Sequence, residues 1–344
     1  MNLFRNAALC VPQIRRLRHA RDTLLDERER LAARLAEYES RPAPQPPASA
    51  SSPFFHYNSS FDPQEVIHRH AAPNVSAMPG YVTNFLGVRI NPKFFPTFLP
   101  TLTGQVEGVP IPANWHADIA EWGAALRAVD LARRTFTVVE LGCGWGCWMN
   151  NTGVAARNAG LHPHLIGIEG DEGHVAFARE ACTFNGFGPE QVTLLHGIAA
   201  SSSGIALFPR QQQPGEKWGL EPVFGATEDQ RHAAAQSHSH DELPMIALND
   251  IAMLHARIDL LHIDIQGGEA DFIAGCLAVM HDKVAYLVVG THSRQIEGRI
   301  MDTLLEAGWL LEIERPAILD LSGGAPYVTV DGVEGWRNPQ LDAG

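Results

Sequence analysis

The sequence predicts an α/β fold, a parallel sheet with helices on both faces, preceded by an amphipathic helix of coiled-coil character. Three observations predict it. From residue 135 onward, short apolar runs rich in β-branched residues alternate with amphipathic stretches, the pattern of strands joined by crossover helices. The first run, Phe136 to Leu141, stops at three alternating glycines, Gly142, Gly144 and Gly146. Glycines there let the backbone turn tightly and approach a ligand with no Cβ in the way. Ahead of the sheet, Ile14, Leu17, Leu24, Leu31, Leu35 and Tyr38 recur at spacings of three, four and seven among Arg and Glu.

In chain order, residues 12–40 form that helix, its seam interrupted by Arg21 and Arg28. Two readings stand for it: homo-oligomerisation or partner docking, and a solvated helical tail. Residues 41–53 are a linker too rich in Pro and Ser to pack. Residues 54–134 read as an extension and cap, closing in a helix from about Asp118 to Arg133 expected to cover the mouth of a ligand crevice. Trp115, His116, Asp118 and Glu121 either face a ligand there or serve packing and capping.

The sheet domain spans 135–331. Leu165 to Glu169 is its second strand, a helix from about Gly173 to Phe184 stops at Asn185-Gly186, and Val192 to Leu195 is the third strand. Residues 201–250 form an insertion poor in periodicity, with an edge strand at Ile205 to Phe208 and a local contact at Trp218-Gly219. His232, His238 and His240 read as belonging to a flexible surface loop rather than to a metal site. Leu260 to Ile263 and Val284 to Gly290 are further buried strands, and a helix follows from Glu297 to Ala307. Gly308 to Ile313 and Pro326 to Asp331 supply the last two strands, and 332–344 reads as a loose tail.

Bulk properties narrow the partners. At 344 residues, with 45% apolar and 19% charged residues, the chain has the composition of a soluble globular protein. A net charge of −13 argues against a nucleic-acid groove, which needs clustered Lys and Arg. No apolar stretch reaches bilayer length, and Met1 to Pro12 lacks the continuous apolar core of a secretory signal. The five cysteines are scattered without a CxxC pair, which favours a reducing compartment and a cytoplasmic location. Cys143 and Cys147 read as small side chains packed under the glycine turn.

The glycine turn carries the cofactor reading. A dinucleotide fingerprint is G-x-G-x-x-G, with pyrophosphate on the helix N-terminus. Here the spacing is G-x-G-x-G and an acid, Glu140, precedes the turn, which repels pyrophosphate and suits a cation such as a sulfonium. Glu169 ends the second strand about 20 residues beyond, where a carboxylate meets ribose hydroxyls in this architecture. Charge and spacing favour S-adenosylmethionine.

On these residues the glycine turn resembles motif I of class I methyltransferases, whose Rossmann-like sheet is the fold expected here. A later run, Asp264-Ile-Gln-Gly-Gly-Glu269, is similar to the D-x-E-G-x-E pattern of the FkbM-type O-methyltransferases, with Gln266 in place of the usual acid. The resemblance covers roughly 135–315. It implies cofactor contacts at Glu140, Gly142, Cys143, Gly144, Trp145, Gly146, Glu169, Gly170 and Asp264, an adenine cover at Gly197 and Ile198, and an antiparallel final hairpin. It also implies a hydroxyl acceptor on a sugar, glycan or small natural product.

The catalytic candidates are Asp264, Glu269 and His292. Asp264 and His292 lie at carboxyl ends of strands, where open α/β sheets bind ligands. His292 or Asp264 is expected to accept a proton from the hydroxyl at neutral pH, and a structural His292 hydrogen-bonded beneath the loop is the competing reading. Glu269 either shares that role or caps its helix. A divalent cation held by the three is the less favoured alternative. An NAD-dependent oxidoreductase, a non-catalytic scaffold working through the N-terminal helix, and an N-methyltransferase are the rival readings. The last lacks an Asn-Pro-Pro-Tyr-type run after Asp264.

Overall fold

Side chains alternating along seven strands give the sheet two apolar faces, and each face is buried by its own set of helices. The computed structural model describes residues 52–213 and 215–341. The amphipathic segment 12–40 and the linker up to residue 51 lie outside the described residues, together with the oligomer reading that rests on them.

The strands are β1 (Thr135–Leu141), β2 (His162–Glu169), β3 (Val192–His196), β4 (Leu260–Ile263), β5 (Tyr286–Thr291), β6 (Leu310–Arg315) and β7 (Gly332–Arg337), in the spatial order β3-β2-β1-β4-β5-β7-β6. The first five are mutually parallel, and β7 runs antiparallel to both neighbours. Asn58–Ser59 adds a short antiparallel edge to β6. The order reverses beside β1, which pairs with β2 on one side and β4 on the other, and such a switch point is where this architecture leaves a crevice.

Five helices are long enough to cover the sheet: α1 (Ile119–Leu131), α2 (Cys147–Asn158), α3 (Glu172–Phe184), α4 (Glu269–Lys283) and α5 (Arg294–Glu306). Phe136, Val138, Leu165, Leu260 and Val288 pack with Trp122, Leu126, Trp148 and Ala178 on one face. Val139, Leu141, Ile166, Leu261, Leu287 and Val289 pack with Ile273, Met280, Ile300 and Leu304 on the other. Among the described residues no helix is long and apolar enough to cross a membrane.

Three expectations are corrected. Helix α1 does not cover a crevice mouth. It buries Ile119, Trp122, Ala125, Leu126 and Val129 in the core, because apolar or small residues surround most of its circumference, and only its first turn reaches the cavity. The insertion is not a loop. Gly204–Pro209 pairs antiparallel and Ile198–Ala200 parallel with His240–Ala247, and a helix spans Glu228–Ser237. That helix starts at a capping box in which Thr227 and Gln230 exchange side-chain and backbone hydrogen bonds, a signal hidden by the polar composition around it. His232 lies in this helix, His238 caps it and His240 opens the strand.

The third correction concerns the end of the chain. Tyr327–Val330 forms a separate hairpin with Ile318–Asp320, and the supposed tail supplies β7, buried between β5 and β6. Two glycines and two charges disguise it. Gly335 is there because a Cβ would sit 2.7 Å from Ile313 and 3.0 Å from Ala124, and the buried Glu334 accepts a hydrogen bond from its neighbour Trp336 at 2.9 Å. Gly335→Ala is expected to destabilise the whole sheet by about 1–3 kcal/mol through overpacking, read as a lowered midpoint in urea. A loose tail would leave the midpoint unmoved.

Candidate functional site

The carboxyl ends of β1, β2 and β4 finish side by side, Leu141 opposite both Ile168 and Ile263. The turn after β1 holds Gly142, Gly144 and Gly146 at φ of 72°, 53° and 74°, in the left-handed region that favours glycine. At Gly142 the need is twofold, since a Cβ would also collide with the Asp264 carbonyl. The N–H groups of Gly142 and Cys143 both donate to the Ile168 carbonyl at 3.0 Å, tying the turn to β2.

Glu169 fastens the other side. One of its carboxylate oxygens accepts from the Gly144 N–H and the other from the Asp171 N–H, each at 2.8 Å. Each oxygen keeps a lone pair, and the residue lines the cavity. Glu140 is placed differently from the expectation of a direct counter-charge. Its two oxygens accept the Trp148 and Met149 N–H groups at 3.2 and 2.8 Å, satisfying donors in the first turn of α2. Burial pushes its carboxyl up to about 8 against the lowering effect of those bonds, so it carries little fixed charge at neutral pH.

A cavity of about 1140 Å³ opens over these strand ends. Glu140, Gly142, Cys143, Gly144, Trp145, Glu169, Gly170, Gly197, Ile198, Asp264 and His292 all line it, so most of the sequence-derived candidates come together. Gly146 and Glu269 do not: Gly146 is the left-handed N-cap of α2, and Glu269 is fully buried beneath the loop before α4. The Cβ-less turn, the carboxylate at the end of β2 and a cavity running past both fit an adenosyl cofactor with a sulfonium centre.

At the far side, the ends of β4 and β5 bring Asp264, Glu269 and His292 together. His292 Nδ1 lies 2.9 Å from Glu269 Oε1, and its Nε2 lies 3.4 Å from Asp264 and 3.9 Å from Asp331. Burial opposes charge on this ring, but the Glu269 hydrogen bond and the three carboxylates outweigh it and raise the imidazole to about 9. Glu269 responds in the opposite sense: burial would raise it, yet His292 and the Gly267 N–H hold its carboxyl below the usual range. A ring raised that far favours Asp264 over His292 as the group that takes the acceptor's proton. Gln266, at φ 57°, donates its amide to Asp264 Oδ1 at 3.0 Å, where an acid would have added a repelling charge. One ligand atom from each of Asp264, Glu269 and His292 lies within 4.8 Å of the others, a spacing a cation could bridge.

Sequence reasoning missed His262 altogether. It sits on β4 facing α1, its Nε2 3.0 Å from Glu121 and its ring stacked on Trp148 at 5.3 Å. Burial lowers His262 to about 4 and His116 to about 3, and raises Glu121 to about 8. A histidine inside an apolar strand gives no sequence signal beyond its being there. Trp218 was noted only as a local contact, and in the fold it reaches the glycine turn.

No family model matches the chain. A protein of Jannaschia sp. (strain CCS1) named "Putative methyltransferase" is 46% identical over 271 residues, which are 78% of this chain and 96% of that protein. Similar solved structures include the C-terminal domain of precorrin-6Y C5,15-methyltransferase from Rhodobacter capsulatus, at 12% identity over 65% of this chain and 90% of that chain, with a TM-score of 0.35. Another is the ribosomal protein L11 methylase from Lactobacillus delbrueckii subsp. bulgaricus, at 11% identity over 62% of this chain and 76% of that chain, with a TM-score of 0.31.

The His292 cluster has a defined pH signature. An imidazole raised from 6.5 to about 9 adds stability that is full below pH 6.5 and is lost as pH climbs through 9. His292→Asn is expected to flatten the fall in stability between those limits, measured by urea unfolding across pH. Direct NMR titration should place the His292 midpoint well above the ordinary value, and a midpoint at or below it would refute the assignment.

Proposed function

The chain belongs to the family of the Jannaschia methyltransferase, and on that premise we propose that it moves the methyl group of S-adenosylmethionine to a hydroxyl of a sugar, glycan or small natural product, as the FkbM-type enzymes do. The observation that carries this reading is the joining of Glu169 and the glycine turn to Asp264 across one cavity. Glu169 would hold the ribose, the turn would lie under the methionyl part, and Gly197 and Ile198 would cover the base. Bound there, the cofactor supplies a methyl carbon already activated by its sulfonium.

The chain's own task is to align the acceptor oxygen, exclude water and take one proton. His292 already holds its proton, so Asp264, half-exposed in the cavity, is the group assigned to receive the acceptor's. His292 and Glu269 then act as positioning residues, His292 beside the Asp264 carboxylate and Glu269 behind the ring.

Calorimetry should show S-adenosylhomocysteine binding and no comparable binding of NADH. Glu169→Ala is expected to weaken the former about tenfold or more, the scale of one lost hydrogen bond to a charged group. Tight NADH binding alone would favour the oxidoreductase instead. Labelled S-adenosylmethionine incubated with fractionated cell extract should place label on a hydroxyl-bearing small molecule or glycan. Label confined to protein or nucleic acid would reject the acceptor class.

The spacing of Asp264, Glu269 and His292 favours one second reading, a divalent-cation site that lowers the acceptor's pKa. Exhaustive chelation should leave turnover unchanged. Activity lost to the chelator and restored by Mg²⁺ or Mn²⁺ would replace the proton-acceptor role of Asp264 with that site.

A further inference from the structure

Residues 215–224 belong to the insertion, yet Lys217, Trp218, Gly219, Leu220, Pro222 and Phe224 line the cavity. Two attachments bring them there. The Gly215 N–H donates to Asp171 Oδ1 at 2.7 Å, the same carboxylate that caps α3 by accepting from the His174 N–H at 2.9 Å. At the other end, Gly219 packs on the Gln266 side chain, its Cβ position 3.1 Å from Oε1. The segment therefore crosses from the end of β2 to the loop after β4, over the glycine turn that lies between them.

Trp218 is the side chain it delivers. The indole stacks on His174 with centroids 4.0 Å apart and on Phe95 at 5.2 Å, and it meets Gly144 where a Cβ would lie 2.5 Å from the ring. Gly144 thus lacks a side chain because Trp218 occupies the space, beyond any need of a ligand. The ring is 38% exposed and contributes to none of the hydrophobic clusters that hold the sheet together, so the fold does not require it. His174 is nine-tenths buried at the cavity wall, and its Nε2 has no hydrogen-bond partner in the protein. A buried polar atom in that state takes its partner from water or from a ligand in the cavity.

We propose that Trp218 is a cofactor-positioning residue, which closes the cavity over Gly144 and slows the departure of bound cofactor. The proposal rests on the S-adenosylmethionine reading above. A ligand lying on the glycine turn has the indole as its neighbour. It leaves on that side only after the ring lifts from Gly144, His174 and Phe95.

The test uses the full chain and S-adenosylhomocysteine as probe. Trp218→Ala, with its thermal midpoint checked against the wild type, should release the probe about tenfold faster or more, with the change carried by the dissociation rate. Trp218→Phe keeps an aromatic ring and should stay within about threefold of wild type. Iodide quenching of the emission lost in Trp218→Phe should fall when the probe is added to wild type. An unchanged dissociation rate in Trp218→Ala, tighter binding by that variant, or quenching indifferent to the probe would each overturn the proposal. If the wild type fails to bind the probe, the cofactor reading itself falls and takes this proposal with it.

Discussion

The close approach of two backbones at the ends of β1 and β4 sets every distance in the site. The Asp264 carbonyl sits where a Cβ of residue 142 would be, and the Asp264 N–H donates to the Leu141 carbonyl at 3.2 Å. On the other flank, two N–H groups of the turn converge on the Ile168 carbonyl. Three strands are thus joined at their tips by main-chain contacts that tolerate no side chain at position 142. Glu169 can reach the Gly144 N–H only because β2 is held this close, and Asp264 enters the cavity from the same junction.

Burial then sorts the titratable groups into two populations. On the inner wall of the cavity, desolvation keeps Glu121 and Glu140 largely protonated and His116 and His262 neutral at pH 7. At the ends of β4 and β5 the balance is reversed: the carboxylates around His292 raise its imidazole, and His292 holds the buried Glu269 carboxyl below the usual range. Glu169, rather than Glu140, is the carboxylate hydrogen-bonded to the glycine turn, since Glu140 is taken up by the first turn of α2.

The strands that meet at this junction were legible because each reads the same way locally and globally. Phe136–Leu141 and Leu165–Glu169 are apolar, β-branched and ended by a glycine or an acid; the first is β1 within one residue, and the second is the carboxyl-terminal part of β2. The elements that were misread carry residues chosen by tertiary contacts. Gly335 in β7 answers to Ile313 and Ala124, and Glu334 to Trp336, so the strand looks like a tail until its neighbours are in place. His292 was found because it follows a strand. Its charge state was not readable, since it depends on Glu269, Asp264 and Asp331, three carboxylates gathered from two separate loops.

What the sheet supplies is generic, and what distinguishes this chain lies outside it. The strand tips hold the glycine turn, Glu169 and Asp264, a set that would serve any acceptor. Much of the remaining cavity wall comes from Ala113–Asp118 ahead of α1 and from Lys217–Pro222 and Phe224 within the insertion, both appended to the sheet. These segments meet across the cavity through aromatic rings, Phe95 lying 6.1 Å from Trp115 and 5.2 Å from Trp218. Neither segment pairs with a strand of the main sheet. Selectivity for the acceptor is therefore expected to reside in these appended segments rather than in the strand tips. The chemistry stays with the strand tips.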